Sequence, residues 1–292
     1  MKRKEYNRQK STHKPISVNW HFWPWCNMKC LFCFATFKNQ KEVMSKIKSL
    51  EVPKLLKEAG TEKLSFVGGE PMLCPYLNEL LQESSNQGIA NKIVSNGTGF
   101  TEEFLDKNHE YINIVGLSLD SASSDINKQL GRGKGKHLEK IKSTVKLLQK
   151  YDIQFHLNTT VTKLTWQEDM RDLIKDLNPI RWKVFQVLKV IGENDSRVEP
   201  ILISSEEYEK FKETHKDIPQ AIFEDNELMY GSYIMLDPIG RFFHNTDGFI
   251  QYSKTIFEIG VESALKQIQW DTEKFIERKG IYNWYDKKET NI

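Results

Sequence analysis

"WCNMKCLFCF", residues 25–34, places three of the chain's four cysteines within eight positions, among aromatic and apolar side chains. Cys26, Cys30 and Cys33 form the spacing CxxxCxxC directly after a β-rich run, ISVNWHF (16–22). In a chain that shows no export signal, closely spaced cysteines favour metal or redox chemistry over disulfides. The stretch therefore predicts a metal centre at the end of the first strand.

Three thiolates leave two kinds of metal centre open. A structural zinc site needs four ligands, and the next cysteine, Cys74, lies 41 residues beyond Cys33, so His21 is the candidate fourth ligand. An iron–sulfur cubane is normally held by four thiolates. With three, one iron keeps an open position for a small molecule. We read Cys74 itself as a small buried hydrophobe.

Composition is that of a globular protein, with 292 residues, 39% apolar and 28% charged. The formal net charge of +2 excludes nothing, but residues 1–50 hold eleven Lys or Arg against two Glu. Such a balance suits either an anionic ligand or a solvated arm. No apolar run approaches the roughly 18 residues of a membrane span, and the opening MKRKEYNRQKSTHK lacks the apolar segment of a secretory signal. We expect a cytoplasmic protein.

Short β-rich runs alternate with longer segments whose apolar residues recur at helical spacing. The predicted strands are 16–22, 63–67, 91–95, 112–118, 153–161 and 182–188, and the predicted helices are 41–59, 75–87, 101–109, 136–151 and 165–177. Six βα units predict an α/β fold in which a parallel sheet curls into a partial barrel, with chemistry at the carboxyl ends of its strands. An open doubly wound sheet is the alternative, because one sequence does not fix strand order.

The pattern changes after residue 190. SSEEYEKFKETH (204–215) predicts a capped helix, GSYIMLDPIGRFF (231–243) a hairpin, and 257–279 two short helices. We therefore predict three regions. They are a flexible basic N-terminus (1–15), the partial barrel (16–190) and an extension that closes the substrate site (191–292).

Two further motifs give the cysteines a family context. With Phe32 beside the last cysteine and GGEP (68–71) after the second strand, the motif resembles the radical S-adenosylmethionine (SAM) enzymes. The resemblance implies a 4Fe–4S cluster on the three cysteines, SAM at the open iron, and a 5′-deoxyadenosyl radical that removes hydrogen from a substrate. Two glycines would let backbone carbonyls approach the methionine amine, and Glu70 would add an acceptor.

A narrower resemblance covers nearly the whole chain from about residue 16. The blocks VNWHF, AGTEKLSF, SNGTGF, LSLDS, GRGKG and SYIMLD resemble, in order, viperin and its prokaryotic and fungal relatives. The resemblance implies conversion of CTP, UTP or GTP to its 3′-deoxy-3′,4′-didehydro form, an antiviral chain terminator. The ribose 4′-hydrogen is abstracted and the 3′-hydroxyl leaves as water, with electrons from a donor such as flavodoxin or ferredoxin. The amphipathic membrane helix of animal viperins is missing, so we expect no membrane partner. A nucleotide-converting enzyme of this kind also implies no nucleic-acid partner.

The resemblance assigns one set of residues to SAM. It comprises Asn19, Phe32, Gly68, Gly69, Glu70, Ser95, Asn96, Ser118 and Arg132. Arg132 lies in a glycine-flanked loop and suits the methionine carboxylate, because a guanidinium forms forked, charge-assisted pairs.

A second set belongs to the substrate. A triphosphate bears about four negative charges, so its site needs Lys and Arg from several strand ends. Alternation along the sixth strand sends Arg181 and Lys183 to one face and Trp182 to the other. The resemblance implies that Lys63, Arg181, Lys183 and Lys254 bind the triphosphate. It implies that Asn158 contacts the base and that Tyr233 is the catalytic residue near the ribose. His156 occupies a position where animal viperins have a phosphate-binding lysine, so it is also a candidate substrate ligand.

Two rival interpretations remain open at this point. One is a radical enzyme of the same fold that modifies a peptide or tRNA, although further cysteines for auxiliary clusters are missing. The other is a zinc-stabilised binding module whose basic N-terminus contacts nucleic acid. GRGKG (131–135) lacks the GK[ST] ending of a phosphate-binding loop, so nucleotide hydrolysis of that type is not supported.

Overall fold

Ten strands form one sheet in the computed structural model, which describes residues 14–38, 40 and 42–285. The strands are β1 (Ser17–Trp23), β2 (Lys63–Gly68), β3 (Ala90–Ser95), β4 (Ile114–Ser118), β5 (Gln154–Val161), β6 (Arg181–Gln186), β7 (Ala221–Glu224), β8 (Ile234–Leu236), β9 (Arg241–His244) and β10 (Gln251–Thr255). The predicted flexible N-terminus, 1–15, lies outside the described residues except for positions 14 and 15.

The strand order decides between the two predicted architectures. It runs β10-β9-β8-β1-β2-β3-β4-β5-β6-β7, and the strands from β1 to β7 follow chain order, each parallel to the next. A doubly wound sheet needs a point where the strand order reverses, and this run has none. The α/β fold with a partial barrel of βα units is therefore confirmed.

Helices flank the strands of the sheet. They are α1 (Lys46–Glu58), α2 (Leu77–Asn86), α3 (Glu102–Asn108), α4 (Ser124–Gln129), α5 (His137–Lys150), α6 (Arg171–Leu177), α7 (Asp195–Val198), α8 (Ser205–Thr214), α9 (Asn226–Met229), α10 (Ile256–Ile259), α11 (Val261–Leu265) and α12 (Thr272–Glu277). The longer helices cover the outer face of the sheet, whereas α7 and α9 contribute residues to the cavity on its inner side. Short 3-10 turns occur at Pro71–Leu73, His109–Tyr111 and Glu199–Ile201. As predicted, α8 begins with a capping box, formed by Ser204 and Glu207. None of the described helices has the length and apolar content that crossing a bilayer requires.

Two predicted helices begin later than the apolar spacing suggested. α1 begins at Lys46, because the Ser45 side chain accepts from a backbone N–H of the first turn. α6 begins at Arg171, because the preceding residues form a turn that is tied to the loop after β4. There the Glu168 carboxylate accepts from the Ala122 backbone N–H at 2.7 Å. Glu168 therefore lies at a loop contact and not on a helix.

The chain after residue 190 adds strands to both edges of the barrel. β7 extends the β6 edge, while β8 pairs parallel with β1 and forms the predicted hairpin with β9. Three short helices follow where two were predicted, because Gly260, with φ of 78°, ends α10 and precedes α11. The limits of the three predicted regions stay a prediction.

Alternation along β6 separates charge from core, as predicted. Arg181 and Lys183 line the inside of the barrel. The Trp182 ring is fully buried on the helix side, where it packs against Phe211 and Phe223. Its indole N–H donates to Thr159 Oγ1, on the neighbouring strand β5, at 2.9 Å. The inner face of the sheet can therefore be polar without weakening the core on its outer face.

Replacing Trp182 with Ala should lower the free energy of unfolding by about 3–5 kcal/mol, because it leaves a large cavity between β6 and α8. Ile47→Ala is the control, since that side chain is 76% exposed and its loss should change the value by less than about 0.5 kcal/mol. Urea titration of both variants measures the difference. Equal effects would contradict this packing.

Candidate active site

A cavity of about 830 Å³ lies inside the partial barrel. It runs from the cysteine loop, at the carboxyl ends of the strands, to residues 278–282 of the C-terminal segment, near the amino ends. Every predicted site residue lines it except Glu70 and Lys254. The structure therefore brings the metal, SAM and substrate predictions into one space.

The cysteine loop is fixed by close backbone contact with the loop after α4. The Leu31 N–H donates to the Leu130 carbonyl at 3.0 Å, and the Lys29 N–H to the Gly131 carbonyl at 3.3 Å. Gly131 has φ of 88°, and a Cβ there would lie 2.2 Å from the Lys29 oxygen. Only glycine allows this approach.

A second clamp comes from Arg197 in α7. Its guanidinium donates to the carbonyls of Cys30 at 3.3 Å and Cys33 at 3.4 Å. Burial raises the pKa of the Cys30 thiol to about 12, and the nearby Arg132 opposes that shift. The Cys30 thiol is thus held in a dry environment with positive charge close by, whereas Cys26 is exposed.

The donor set fits a cluster better than a single ion. In the described part of the chain, no three His, Cys, Asp or Glu side chains converge on one ion position. In a cubane each thiolate binds its own iron, so the cysteines stand further apart than the ligands of one zinc. His21, the candidate fourth zinc ligand, instead packs against the rings of Phe37 and Phe243. Cys74 is buried, as expected.

The GGEP loop packs on the same backbone that leads into the cysteines. Gly69 N–H donates to the Trp23 carbonyl at 2.7 Å, and Glu70 N–H to the Trp25 carbonyl at 2.8 Å. A Cβ on Gly68 or on Gly69 would lie 2.3 Å from the Trp23 or the Trp25 oxygen, respectively. The glycines are therefore required for packing, whatever they also do for SAM.

Glu70 does not face the cavity, which corrects its predicted role as an acceptor for SAM. One carboxylate oxygen accepts from Met72 N–H at 3.1 Å and Ser95 Oγ at 2.7 Å, and the other accepts from Asn96 N–H at 2.7 Å. Both oxygens are thus used inside the protein. Glu70 holds Ser95 and Asn96 in place, and those two residues line the cavity.

Arg132 is oriented by Asp120, a residue that the sequence analysis missed. Arg132 Nε donates to Asp120 Oδ2 at 2.6 Å, and Asp120 Oδ1 accepts from Thr160 N–H at 2.9 Å. The guanidinium carbon lies 5.3 Å from the Phe32 ring centroid. Its two Nη groups have no hydrogen-bond partner among the described residues, so they can receive a carboxylate.

The wall near the amino ends of the strands is strongly cationic. Its basic side chains are Lys63, Lys92, His156, Arg181, Lys183 and Arg278. Burial lowers the pKa of Lys63 and Lys92 well below the usual value, and neighbouring positive charges add to the effect. Burial also lowers the pKa of Lys183 to about 8. A group of buried cations this close together is suited to a polyanion.

Tyr233 belongs to a buried hydrogen-bonded triad. Lys183 Nζ lies 2.7 Å from Glu224 Oε1 and donates to the Tyr233 hydroxyl at 2.6 Å. The Tyr233 hydroxyl donates to Glu224 Oε2. The guanidinium carbon of Arg278 lies 3.7 Å from the centroid of the Tyr233 ring. The predicted ribose-side tyrosine is therefore held from three directions.

The C-terminal segment covers the cationic wall with aromatic rings. The Arg181 guanidinium carbon lies 4.2 Å from the Tyr282 ring centroid, and Lys63 Nζ lies 4.8 Å from the centroids of both Tyr282 and Trp284. Rings above cations stabilise positive charge that would otherwise be buried alone.

Four residues of this wall were missed by the sequence analysis. They are Lys92, Glu224, Arg278 and Tyr282. Strand alternation could have predicted Lys92, because it places Lys92 and Val94 on one face of β3 and Ile93 on the other. The other three come from the region after the barrel, whose contacts have no periodic signal.

Lys254 is not part of the cavity, so the prediction that it binds the triphosphate is wrong. It lies on β10, the outermost strand, with its side chain exposed, and its backbone N–H donates to Gln267 at 2.8 Å. Alternation buries Ser253 and turns Lys254 to solvent.

Comparison with known proteins agrees with this geometry. The family model for the radical SAM superfamily matches residues 20–177. SuiB of Streptococcus suis bound to its precursor peptide shares the fold, with a TM-score of 0.69 and 16% identity over 92% of this chain and 67% of that chain. Native anSMEcpe with bound AdoMet has a TM-score of 0.65 and 18% sequence identity, and the match covers 90% of this chain and 83% of that chain. The fold and cysteine loop are those of a radical SAM protein.

Relatives narrow the class. A SAM-dependent nucleotide dehydratase of Flammeovirga pacifica is 40% identical over 92% of this chain and 96% of its own length. The SAM-dependent nucleotide dehydratase RSAD2 of Oncorhynchus mykiss is 37% identical over 92% of this chain and 81% of its own length. A homologue from a Thermoplasmatales archaeon is 34% identical over 94% and 98%. The chain belongs to this viperin-like family of the radical SAM superfamily.

Membership of this family identifies the cofactors and bears on the two rival interpretations. Radical SAM proteins use a 4Fe–4S cluster and SAM, as predicted, and the three cysteines fit the cluster. The zinc-stabilised binding module is therefore excluded. The peptide- or tRNA-modifying alternative is not favoured, because the relatives that match most of the chain are named nucleotide dehydratases.

Gly131→Ala should reduce iron loading and lower the melting temperature, because its Cβ would overlap the cysteine loop. Gly133→Ala is the matched control. It has a similar φ of 70° but only a methionine side-chain atom, at 3.6 Å, near its Cβ. Backbone strain of about 1 kcal/mol is common to both. Iron analysis after anaerobic reconstitution should show a larger loss for Gly131→Ala, and equal losses would contradict the contact.

Proposed function

We propose that the chain is a radical SAM nucleotide dehydratase whose substrate is a ribonucleoside triphosphate. The supporting observation is that one cavity contains both the cysteine loop and a wall of five Lys and Arg side chains, of which four are buried and one, Arg181, is half-buried. The carboxylate of Glu224 is placed to balance one of these charges, that of Lys183. The other four basic side chains match the roughly four negative charges that a triphosphate carries.

The two ends of the cavity bind different groups, SAM at one end and the triphosphate at the other. When bound, the cluster and SAM supply a carbon radical able to remove hydrogen. Arg132, fixed by Asp120, receives the methionine carboxylate, and Asn19, Ser95, Asn96 and Ser118 contact the remainder of SAM. The cationic wall holds the triphosphate, which leaves the ribose between the two ends.

Tyr233 and Asn158 contact the nucleoside part of the substrate. Tyr233, held by Lys183 and Glu224, is the catalytic residue beside the ribose. The buried Oδ1 of Asn158 has no partner among the described residues, and this side chain contacts the base. The net change is loss of the 3′-hydroxyl as water from CTP, UTP or GTP. A flavodoxin or ferredoxin supplies the electrons, in the cytoplasm.

The reaction is tested by anaerobic incubation of the reconstituted chain with SAM, a reductant and each ribonucleoside triphosphate in turn. We expect 5′-deoxyadenosine and a nucleotide that has lost one water, with at least one base. The variant Cys30→Ala should form neither, because it removes a cluster ligand. If none of the triphosphates stimulates 5′-deoxyadenosine formation, the substrate class is wrong.

Nucleotide affinity should fall as pH rises above about 8. The polyanion binds protonated lysines, and Lys183, with a pKa of about 8, loses its proton through this range. The nucleotide is fully ionised there, since the terminal phosphate has a pKa of about 6. Calorimetric titrations from pH 7.5 to pH 9.5 should show a loss of about tenfold or more. Lys183→Arg should reduce this loss, and a flat wild-type profile would contradict it.

A further inference from the structure

Lys92 and His156 converge inside the barrel from strands that are not neighbours. Lys92 comes from β3 and His156 from β5, and Lys92 Nζ lies 2.9 Å from His156 Nδ1. Both line the cavity, with Lys92 7% exposed and His156 fully buried. Lys92 is the residue of the cationic wall that the sequence analysis missed although it lies on a strand of the barrel.

Space for this contact is left by a glycine on the strand between them. Gly116 of β4 has ordinary backbone angles, but a Cβ there would lie 3.0 Å from Lys92 Cε and 3.2 Å from Asn158 Nδ2. Any larger side chain would displace the lysine stem or the amide. The sheet is thus built to let Lys92 pass over β4.

Unlike its neighbour Lys183, Lys92 has no carboxylate within hydrogen-bond distance among the described residues. Lys183 has the Glu224 carboxylate at 2.7 Å. Within the described ranges, the hydrogen-bond partner of Lys92 is an imidazole, which burial keeps neutral by lowering its pKa. A protonated lysine can only donate, so the imidazole accepts at Nδ1 and carries its proton on Nε2.

We infer that Lys92 is a substrate-binding residue for the polyphosphate and that His156 is its positioning residue. A neutral acceptor aims the ammonium without cancelling its charge, so the full charge is available to an anion. This inference rests on the proposed function in one respect, that the anion belongs to a nucleotide. It reassigns the role at this place from His156, the predicted ligand, to a lysine two strands away.

A purely structural lysine would not be placed this way. A buried ammonium without a carboxylate costs folding free energy, and an apolar side chain of similar length would cost less. Lys92→Met should therefore raise the melting temperature of the ligand-free chain. A lysine required for packing would give the opposite sign.

Calorimetric titration of the full chain with inorganic tripolyphosphate tests the binding role without depending on base or turnover. We expect Lys92→Met to weaken this binding by about tenfold to a hundredfold, as for loss of one charge-assisted contact. Binding of inorganic phosphate should weaken less. Lys254→Met is the matched control, because it removes an exposed lysine outside the cavity, and should bind as wild type does.

Variants at position 156 test positioning. His156→Asn keeps an acceptor near the place of Nδ1 and should retain most of the tripolyphosphate affinity, whereas His156→Leu should lose about as much as Lys92→Met. The double variant Lys92→Met, His156→Lys moves the ammonium from β3 to β5 and should recover affinity. Recovery would not follow if either side chain served only to pack the barrel.

The outcomes separate this inference from the proposed function. Wild-type affinity for tripolyphosphate in Lys92→Met, or equal weakening in Lys254→Met, would overturn the inference and leave the nucleotide substrate untouched. If the wild-type chain binds tripolyphosphate through Lys92 but transforms no nucleoside triphosphate, the inference stands and the proposed function fails.

Discussion

Burial of positive charge is the constraint on which the inside of this barrel depends. Lys63, Lys92 and Lys183 lose most of their hydration there, and burial lowers the pKa of each. Glu224 balances one of them, and aromatic rings shield another. Such a wall costs folding free energy, which the apolar outer face of the same sheet must offset. A polyanion would remove this cost, so ligand binding and stability are coupled.

The opposite end of the cavity is governed by a steric constraint. Gly69 and Gly131 allow the GGEP loop and the loop after α4 to lie directly on the backbone around the cysteines. Arg197 then fixes the carbonyls of two of those cysteines. The loop is thus restrained by contacts with the rest of the chain. Cysteines on a restrained loop lower the entropy cost of holding a cluster in one orientation.

The sequence predicted what depends on local pattern. Strand runs predicted the barrel, and alternation placed Arg181 and Lys183 inside. The cysteine spacing predicted a metal site, and the resemblance to radical SAM enzymes implied that it holds a cluster. Residues that reach the site through distant contacts were not predictable: Arg278 meets Ser232, 46 positions away, in a region without periodicity. Lys254 was misplaced because its role depended on whether β10 borders the cavity, and a hairpin's position in a sheet is not encoded locally.

Strand β5 spans the distance between the cationic wall and the SAM end of the cavity. His156, Asn158 and Thr160 share its inner face, so they follow the cavity over about 13 Å at the rise of an extended chain. His156 lies in the cationic wall, and the backbone of Thr160 binds the Asp120 that orients Arg132. A substrate anchored by its triphosphate at one end must therefore present its nucleoside part at the level of Asn158, short of the SAM residues. The depth of the anion site, set by Lys92 and its neighbours, thus decides which atoms meet the radical.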